Sequence, residues 1–243
     1  MAAGSGTRLG ADRPKAFVSL AGRTLLEHAV HRLLQGGRLE VLVVVVPADL
    51  VDEARALLER DAGPAAPTLT VVAGGADRAD SVRRGLAALP DGVRAVLVHD
   101  AARCLVPPEL VHRVVVALHR HPAVVPGLPP SDTVKQVDGA GTVVGTPDRS
   151  TLRLVQTPQG FARDLLERAH REALLAGGPA ASSVATDDAA LVERLGEPVH
   201  VVPGDPRAVK ITTPEDLAYA DWLLTHDPDR PLTGPPTSQA QAW

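Results

Sequence analysis

Short runs of β-branched residues alternate along this chain with stretches whose apolar positions recur every three or four residues. That alternation predicts βαβ units and a mostly parallel sheet. Residues 40–46 (Glu-Val-Leu-Val-Val-Val-Val) are apolar on both faces, as a central parallel strand must be. Residues 68–72 and 94–99 read the same way. Helical periodicity falls at about 24–35, 48–60, 77–89 and 107–119. The segment Pro126-Gly127-Leu128-Pro129-Pro130 then breaks the rhythm. Residues 132–137, a Gly139-Ala140-Gly141 turn and residues 142–145 predict a β-hairpin that leaves the main layer. The βα pattern resumes with helices at 162–176 and 187–195, a strand at 198–202 and a last helix from Pro214 to about His226. One α/β domain is expected over 1–226, with an arm at about 131–150, followed by a proline-rich, aperiodic tail at 227–243 expected to be disordered.

Charge and composition narrow the function classes. With 25 Lys and Arg against 29 Asp and Glu the net charge is −4, so no global basic field recruits nucleic acid or an anionic membrane. Affinity for phosphate must therefore be local. A single cysteine, Cys104, excludes an internal disulfide framework and a cysteine-built zinc site. No apolar run approaches the roughly 20 residues that span a bilayer, and no signal peptide is expected. These features fit a cytoplasmic enzyme.

Three segments carry candidate chemistry. In residues 2–15, Ala2, Ala3, Gly4 and Gly6 have little or no side chain, so backbone N–H groups can converge on a polyanion, and Arg8 and Lys15 can neutralise it. The spacing matches neither G-x-G-x-x-G nor a Walker loop. In Val98-His99-Asp100-Ala101-Ala102-Arg103, a carboxylate and a cation follow a strand end, where open α/β sheets bind ligands. Asp100 there is either a Mg²⁺ ligand or an N-cap with Arg103 as its surface partner. His99 reads as a packed strand-end residue. In Gly74-Gly75-Ala76-Asp77-Arg78-Ala79-Asp80-Ser81, Asp77 can cap a helix, while the glycines and Ser81 can read the edge of a flat base.

Taken in order, A-A-G-S-G-T-R-L-G-x-x-x-P-K, G-G-x-x-R-x-x-S-V, V-H-D-A-A-R, D-R-x-x-L-x-x-x-Q-T-P-Q-x-F, T-D-D-A and V-K-I-T-T-P-E-D-L resemble the 2-C-methyl-D-erythritol 4-phosphate cytidylyltransferases, over residues 1 to about 224. The resemblance implies a Rossmann-like, mostly parallel nucleotidyltransferase sheet with a protruding β-arm, CTP as donor, Mg²⁺ as cofactor and a homodimer in which arms cross. It implies that Ala2, Ala3, Gly4 and Gly6 wrap the triphosphate, that Arg8 and Lys15 face the α-phosphate, and that Gly75 and Ser81 meet cytosine. It further implies that Asp100 holds the metal and that Arg149, Thr157, Thr186 and Lys210 contact the acceptor. A cytidylyltransferase for another polyol phosphate, such as ribitol 5-phosphate, would share the donor-side motifs. A non-catalytic nucleotide-binding remnant is the alternative from another class.

Departures from the family pattern also matter. Cys104 replaces a proline, Ala76 stands where an acidic residue is common, and Ala208-Val209 precede the lysine where Asn-Ile is usual. Asp205 is the candidate for a second metal carboxylate. The strand expected to feed Ala2-Ala3-Gly4 is missing, which should leave neighbouring backbone groups unpaired and open a void. A start assigned too far downstream would account for it.

Overall fold

The first long helix begins where its own residues supply a cap. Thr24 and Glu27 cap each other reciprocally: the Thr24 hydroxyl accepts the Glu27 N–H at 3.2 Å and the Glu27 carboxylate accepts the Thr24 N–H at 2.7 Å. In the computed structural model, which describes residues 1–4, 9–37, 39–60, 66–177 and 187–226, a small hairpin of β1 (Ser19–Leu20) and β2 (Arg23–Thr24) leads into this first helix. The chain continues as α1 (Leu25–Gln35), β3 (Val41–Val46), α2 (Val51–Glu59), β4 (Thr68–Ala73), α3 (Arg78–Ala87), β5 (Ala95–Val98) and α4 (Pro108–Leu118). After these come β6 (Ala123–Leu128), the arm strands β7 (Gln136–Val137) and β8 (Val143–Gly145), then β9 (Leu154–Val155), β10 (Gln159–Ala162), α5 (Arg163–Gly177), α6 (Asp188–Arg194), β11 (His200–Pro203) and α7 (Pro214–His226). The expected tail, 227–243, lies outside the described residues.

The sheet is mixed. Strands β3 and β4 run parallel in register from Val41 opposite Thr68 to Val46 opposite Ala73, and β11 runs parallel to β6. Strand β10 is inserted antiparallel between β6 and β5. The periodicity predicted neither β6 nor β10. Strand β6 contains Pro126 and Gly127, which read in sequence as a break, but the Pro126 carbonyl still accepts the Gln156 N–H at 2.8 Å. Gly127 is needed because a Cβ there would lie 2.9 Å from that of Arg153.

Helices cover both faces. One core gathers Phe17, Leu25, Val46 and Ile211 under α1, α2 and α7; the other gathers Val82, Phe161, Leu166 and Val192 under α3, α5 and α6. Cys104 is fully buried, and burial pushes its thiol up to about 12, so it is no nucleophile at neutral pH. Among the described residues no ladder joins β3 to β5, and a cavity of about 480 Å³ opens between them. Residues 1 and 2 bridge its upper end: the Ala2 N–H donates to the Val45 carbonyl at 2.8 Å, and the Ala101 N–H donates to the Met1 carbonyl at 3.0 Å.

Candidate active site

Strand β5 ends at Val98 and delivers His99 and Asp100 to the carboxyl edge of the sheet. The Asp100 side chain makes no capping hydrogen bond to the short turn that follows. Its Oδ2 instead accepts Lys210 Nζ at 2.8 Å, and the Arg78 guanidinium stands 3.7 Å from Oδ1. Burial alone would raise this carboxyl, but Arg78 and Lys210 outweigh it and hold Asp100 well below the usual carboxylate range. It is an anion throughout the physiological range.

Lys15 reaches the same edge from another direction. Pro14 precedes the single turn Lys15–Phe17, and Lys15 Nζ donates to the Ile211 carbonyl at 2.9 Å, next to Lys210 in the chain. Two ammonium groups thus flank the segment 210–211. Arg103 fixes that segment and the far side of the site, donating to the carbonyls of Ala208 at 2.8 Å and Val155 at 3.2 Å. The sequence alternative of Asp100 as an N-cap partnered by Arg103 is therefore replaced on both counts.

Thr157 lies behind Asp100. It is buried; its hydroxyl accepts the Asp100 N–H at 3.1 Å and lies 3.0 Å from His99 Nδ1. Burial drives His99 down to about 3, so the ring is neutral and packed, as its strand-end position suggested.

At the second junction, Asp77 does cap α3, accepting the Asp80 N–H at 2.7 Å. The Gly75 N–H donates to the buried Ser81 hydroxyl at 2.9 Å, and the Ala76 N–H to Asp80 at 3.1 Å. A Cβ on Gly74 would lie 2.6 Å from that of Ala3, so this loop packs directly on the small-residue segment. A Cβ on Gly75 would fall 1.8 Å from Asp80 Oδ2. At Gly4 a Cβ would meet open space among the described residues, which leaves its backbone accessible to a ligand. If Gly75 meets the nucleotide that the sequence leads one to expect, Gly75→Ala should raise the KM for that nucleotide at least about tenfold, because overpacking of about 1–3 kcal/mol displaces the loop. Gly139→Ala, where the added Cβ meets nothing described, is the control. Equal KM values in the two variants would remove Gly75 from the nucleotide site.

Sequence reasoning named no role for the charge network behind the site. Asp188 is fully buried at the start of α6, 2.8 Å from the Arg78 guanidinium and 3.0 Å from His170 Nε2. Removing one partner of such a buried pair typically costs about 3–5 kcal/mol. The available signal was Arg78 itself, a cation in the first turn of α3, where the helix dipole disfavours it unless carboxylates face it.

Other expected site residues lie apart or outside the described region. Arg149 sits at the base of the arm and donates to the Ser131 carbonyl at 2.8 Å. Both carboxylate oxygens of Asp205 face Arg207, at 3.1 Å each. Gly6, Arg8 and Thr186 fall outside the described residues. Among those described, no three His, Cys, Asp or Glu side chains converge as a metal site, and no helix is long and apolar enough to cross a membrane. A divalent cation at Asp100 would draw most of its oxygens from substrate phosphates and water, which is how Mg²⁺ is usually held.

Known proteins match this chain along nearly its whole length. The sequence model of IspD, 2-C-methyl-D-erythritol 4-phosphate cytidylyltransferase, matches residues 1–226. A protein of that name from Nocardia farcinica is 55% identical over 224 residues, covering 92% of this chain and 91% of the relative. One from Rhodococcus jostii is 54% identical, covering 92% of both. Among solved structures, the 4-diphosphocytidyl-2C-methyl-D-erythritol synthase of Anaerococcus prevotii superposes with a TM-score of 0.79 at 30% identity, over 92% of this chain and 95% of its own. The Thermus thermophilus 2-C-methyl-D-erythritol 4-phosphate cytidylyltransferase gives 0.71 at 38% identity, over 91% and 95%. The chain belongs to the 2-C-methyl-D-erythritol 4-phosphate cytidylyltransferase family.

Proposed function

We propose that this chain transfers the cytidylyl group of CTP to 2-C-methyl-D-erythritol 4-phosphate, giving CDP-methylerythritol and pyrophosphate, as a cytoplasmic homodimer. The observation that carries the reading is the ionised Asp100 faced by Lys210 and Arg78, with Lys15 bound to the Ile211 carbonyl beside Lys210, and Ala3 packed on the Gly74–Gly75 loop. Cations at a strand's carboxyl end are what phosphoryl chemistry requires.

An acceptor phosphate oxygen attacks the α-phosphorus of CTP in line. The new P–O bond forms as the bond to the pyrophosphate oxygen breaks, and the electron pair leaves with pyrophosphate. The acceptor's second ionisation lies near pH 6, so it arrives largely as a dianion and needs no general base. Catalysis is then positioning and charge neutralisation. Ala3, Gly4 and Gly6 give backbone N–H groups to the triphosphate, whereas the Ala2 N–H, expected to join them, is held by the Val45 carbonyl; Arg8 and Lys15 face the α-phosphate; Gly75 and Ser81 hold the base. Lys210, Thr186 and Arg149, the last from the arm, bring in the acceptor phosphate.

Thr157 acts from behind, fixing the amide of Asp100. Asp100 is the carboxylate that would hold Mg²⁺, whereas an ion pair with Arg207 already engages Asp205. When bound, the cation neutralises phosphate oxygens.

Pyrophosphate release from CTP tests the reading. Methylerythritol phosphate should support turnover at least tenfold above ribitol 5-phosphate. Preference for ribitol 5-phosphate would overturn the acceptor, and CTP binding without release under either acceptor would leave a nucleotide-binding remnant.

A further inference from the structure

Between β9 and the first residue of β10 the chain reads Gln156-Thr157-Pro158-Gln159, and the polar side chains of Gln156, Thr157 and Gln159 are all buried. Burying an amide is unfavourable unless its donor and its acceptor are both met, so the partners of each side chain tell what it holds in place. Thr157 accepts the Asp100 N–H. The two glutamines reach different segments on either side of it.

Gln156 clasps Asp205 by both backbone groups: Nε2 donates to the Asp205 carbonyl at 2.8 Å, and Oε1 accepts the Asp205 N–H at 3.0 Å. A Cβ on Gly204 would lie 2.5 Å from Gln156 Oε1, so a glycine is what lets this amide approach. The Asp205 carbonyl also accepts the Ala208 N–H at 3.0 Å, which closes the turn that delivers Lys210 to Asp100. Gln159 clasps the start of α6 instead. Its Nε2 donates to Asp187 Oδ2 at 2.6 Å, and its Oε1 accepts the Ala189 N–H at 3.3 Å. Asp188, between those two held positions, is the carboxylate that faces Arg78, and Arg78 in turn faces Asp100. Lys210, Asp100 and Arg78 come from three distant parts of the chain, yet each is tied back to residues 156–159.

We propose that Gln156 and Gln159 are positioning residues for the transfer, Gln156 setting where Lys210 stands beside Asp100 and Gln159 setting where Arg78 stands. The inference rests on the proposed cytidylyl transfer, in which Lys210 brings in the acceptor phosphate and the cations around Asp100 govern its charge. Neither glutamine acts on a reacting atom; both act through the cations they place. Small displacements suffice, because a misplacement of about 1 Å can cost about a hundredfold in rate.

Methionine at either position fills a similar volume and makes neither bond. Gln156→Met should raise the KM for methylerythritol phosphate at least tenfold and that for CTP less than threefold, whereas Gln159→Met should lower kcat at least tenfold. Hydrogen exchange should locate the cause at amides that do not bond the glutamines themselves. Ala208 and Ile211 should exchange at least tenfold faster in Gln156→Met, and Ala190 in Gln159→Met, each variant sparing the other's segment. Leu166→Val, in the core under α5, is the control: it should lower the thermal midpoint and leave kcat and both KM values within twofold. If a methionine variant is insoluble, glutamate at the same position keeps an accepting oxygen, loses the donor, and should shift the same constant. Kinetic constants that follow the control, or both segments loosening equally in both variants, overturn the proposal. A wild-type chain that does not use methylerythritol phosphate would overturn the proposed function, and the exchange pattern would still decide the positioning: separate loosening of the two segments upholds it, and unchanged exchange overturns it.

Discussion

Asp100→Asn lowers turnover with CTP and methylerythritol phosphate at least about a hundredfold, the scale for loss of one group that organises transition-state charge. The substitution keeps shape and removes only the negative charge. That charge has two cationic neighbours, Lys210 at 2.8 Å and Arg78 at 3.7 Å, and nothing in the short turn after it depends on the side chain. Folding should therefore survive better than catalysis. The amide also offers Mg²⁺ a poorer oxygen, so the Mg²⁺ concentration for half-maximal rate should rise as turnover falls. Initial rates across a Mg²⁺ series, with a thermal melt alongside, check both. If the variant keeps near wild-type turnover with an unchanged Mg²⁺ dependence, Asp100 serves only to neutralise Lys210 and Arg78.

Local rules wrote most of the helices legibly. Thr24 with Glu27 marks the start of α1, Asp77 that of α3 and Asp187 that of α6, each through a side chain accepting a backbone N–H. Among the strands that escaped, β6 and β10 depend on tertiary pairing. Pro126 and Gly127 carry turn chemistry locally, yet flanking strands β9 and β11 hold them extended. Gln159–Ala162 is a short apolar stretch whose antiparallel place depends on β5 and β6 approaching from both sides.

The site divides in the same way. Asp100 was visible as a charge at a strand end and Lys15 as a cation of the small-residue loop, while Lys210 came only with the family resemblance. Arg78, Asp188 and His170 were not visible, because their meaning lies in a contact between helices 110 positions apart in the chain from Arg78 to Asp188. Thr157 was legible as a position but not as a function: its hydroxyl is committed to Asp100 and His99.

Deleting Ser131–Gly145 behind a short linker yields monomers that bind CTP and have lost at least about a hundredfold in activity toward methylerythritol phosphate. The arm exists as expected, with β7 and β8 paired around a turn closed by Asp138 and by Gly141 at φ +85°. Its own contacts are few, and a two-stranded hairpin is marginal in water. Val137, Val143 and Val144 on the arm are each more than half exposed, an apolar cost that a second subunit would remove. Arg149 stands at the base of the arm, held by the Ser131 carbonyl, so an arm seated on a partner would carry this guanidinium toward that partner's acceptor site. The residues proposed to hold CTP lie elsewhere, on the Gly74–Gly75 loop and beside Asp100, so CTP affinity should change less than threefold. Sedimentation reports the mass, nucleotide titration the affinity and a coupled pyrophosphate assay the activity. A deletion protein that stays dimeric and fully active would remove both the arm-mediated dimer and the contribution of Arg149 to acceptor binding.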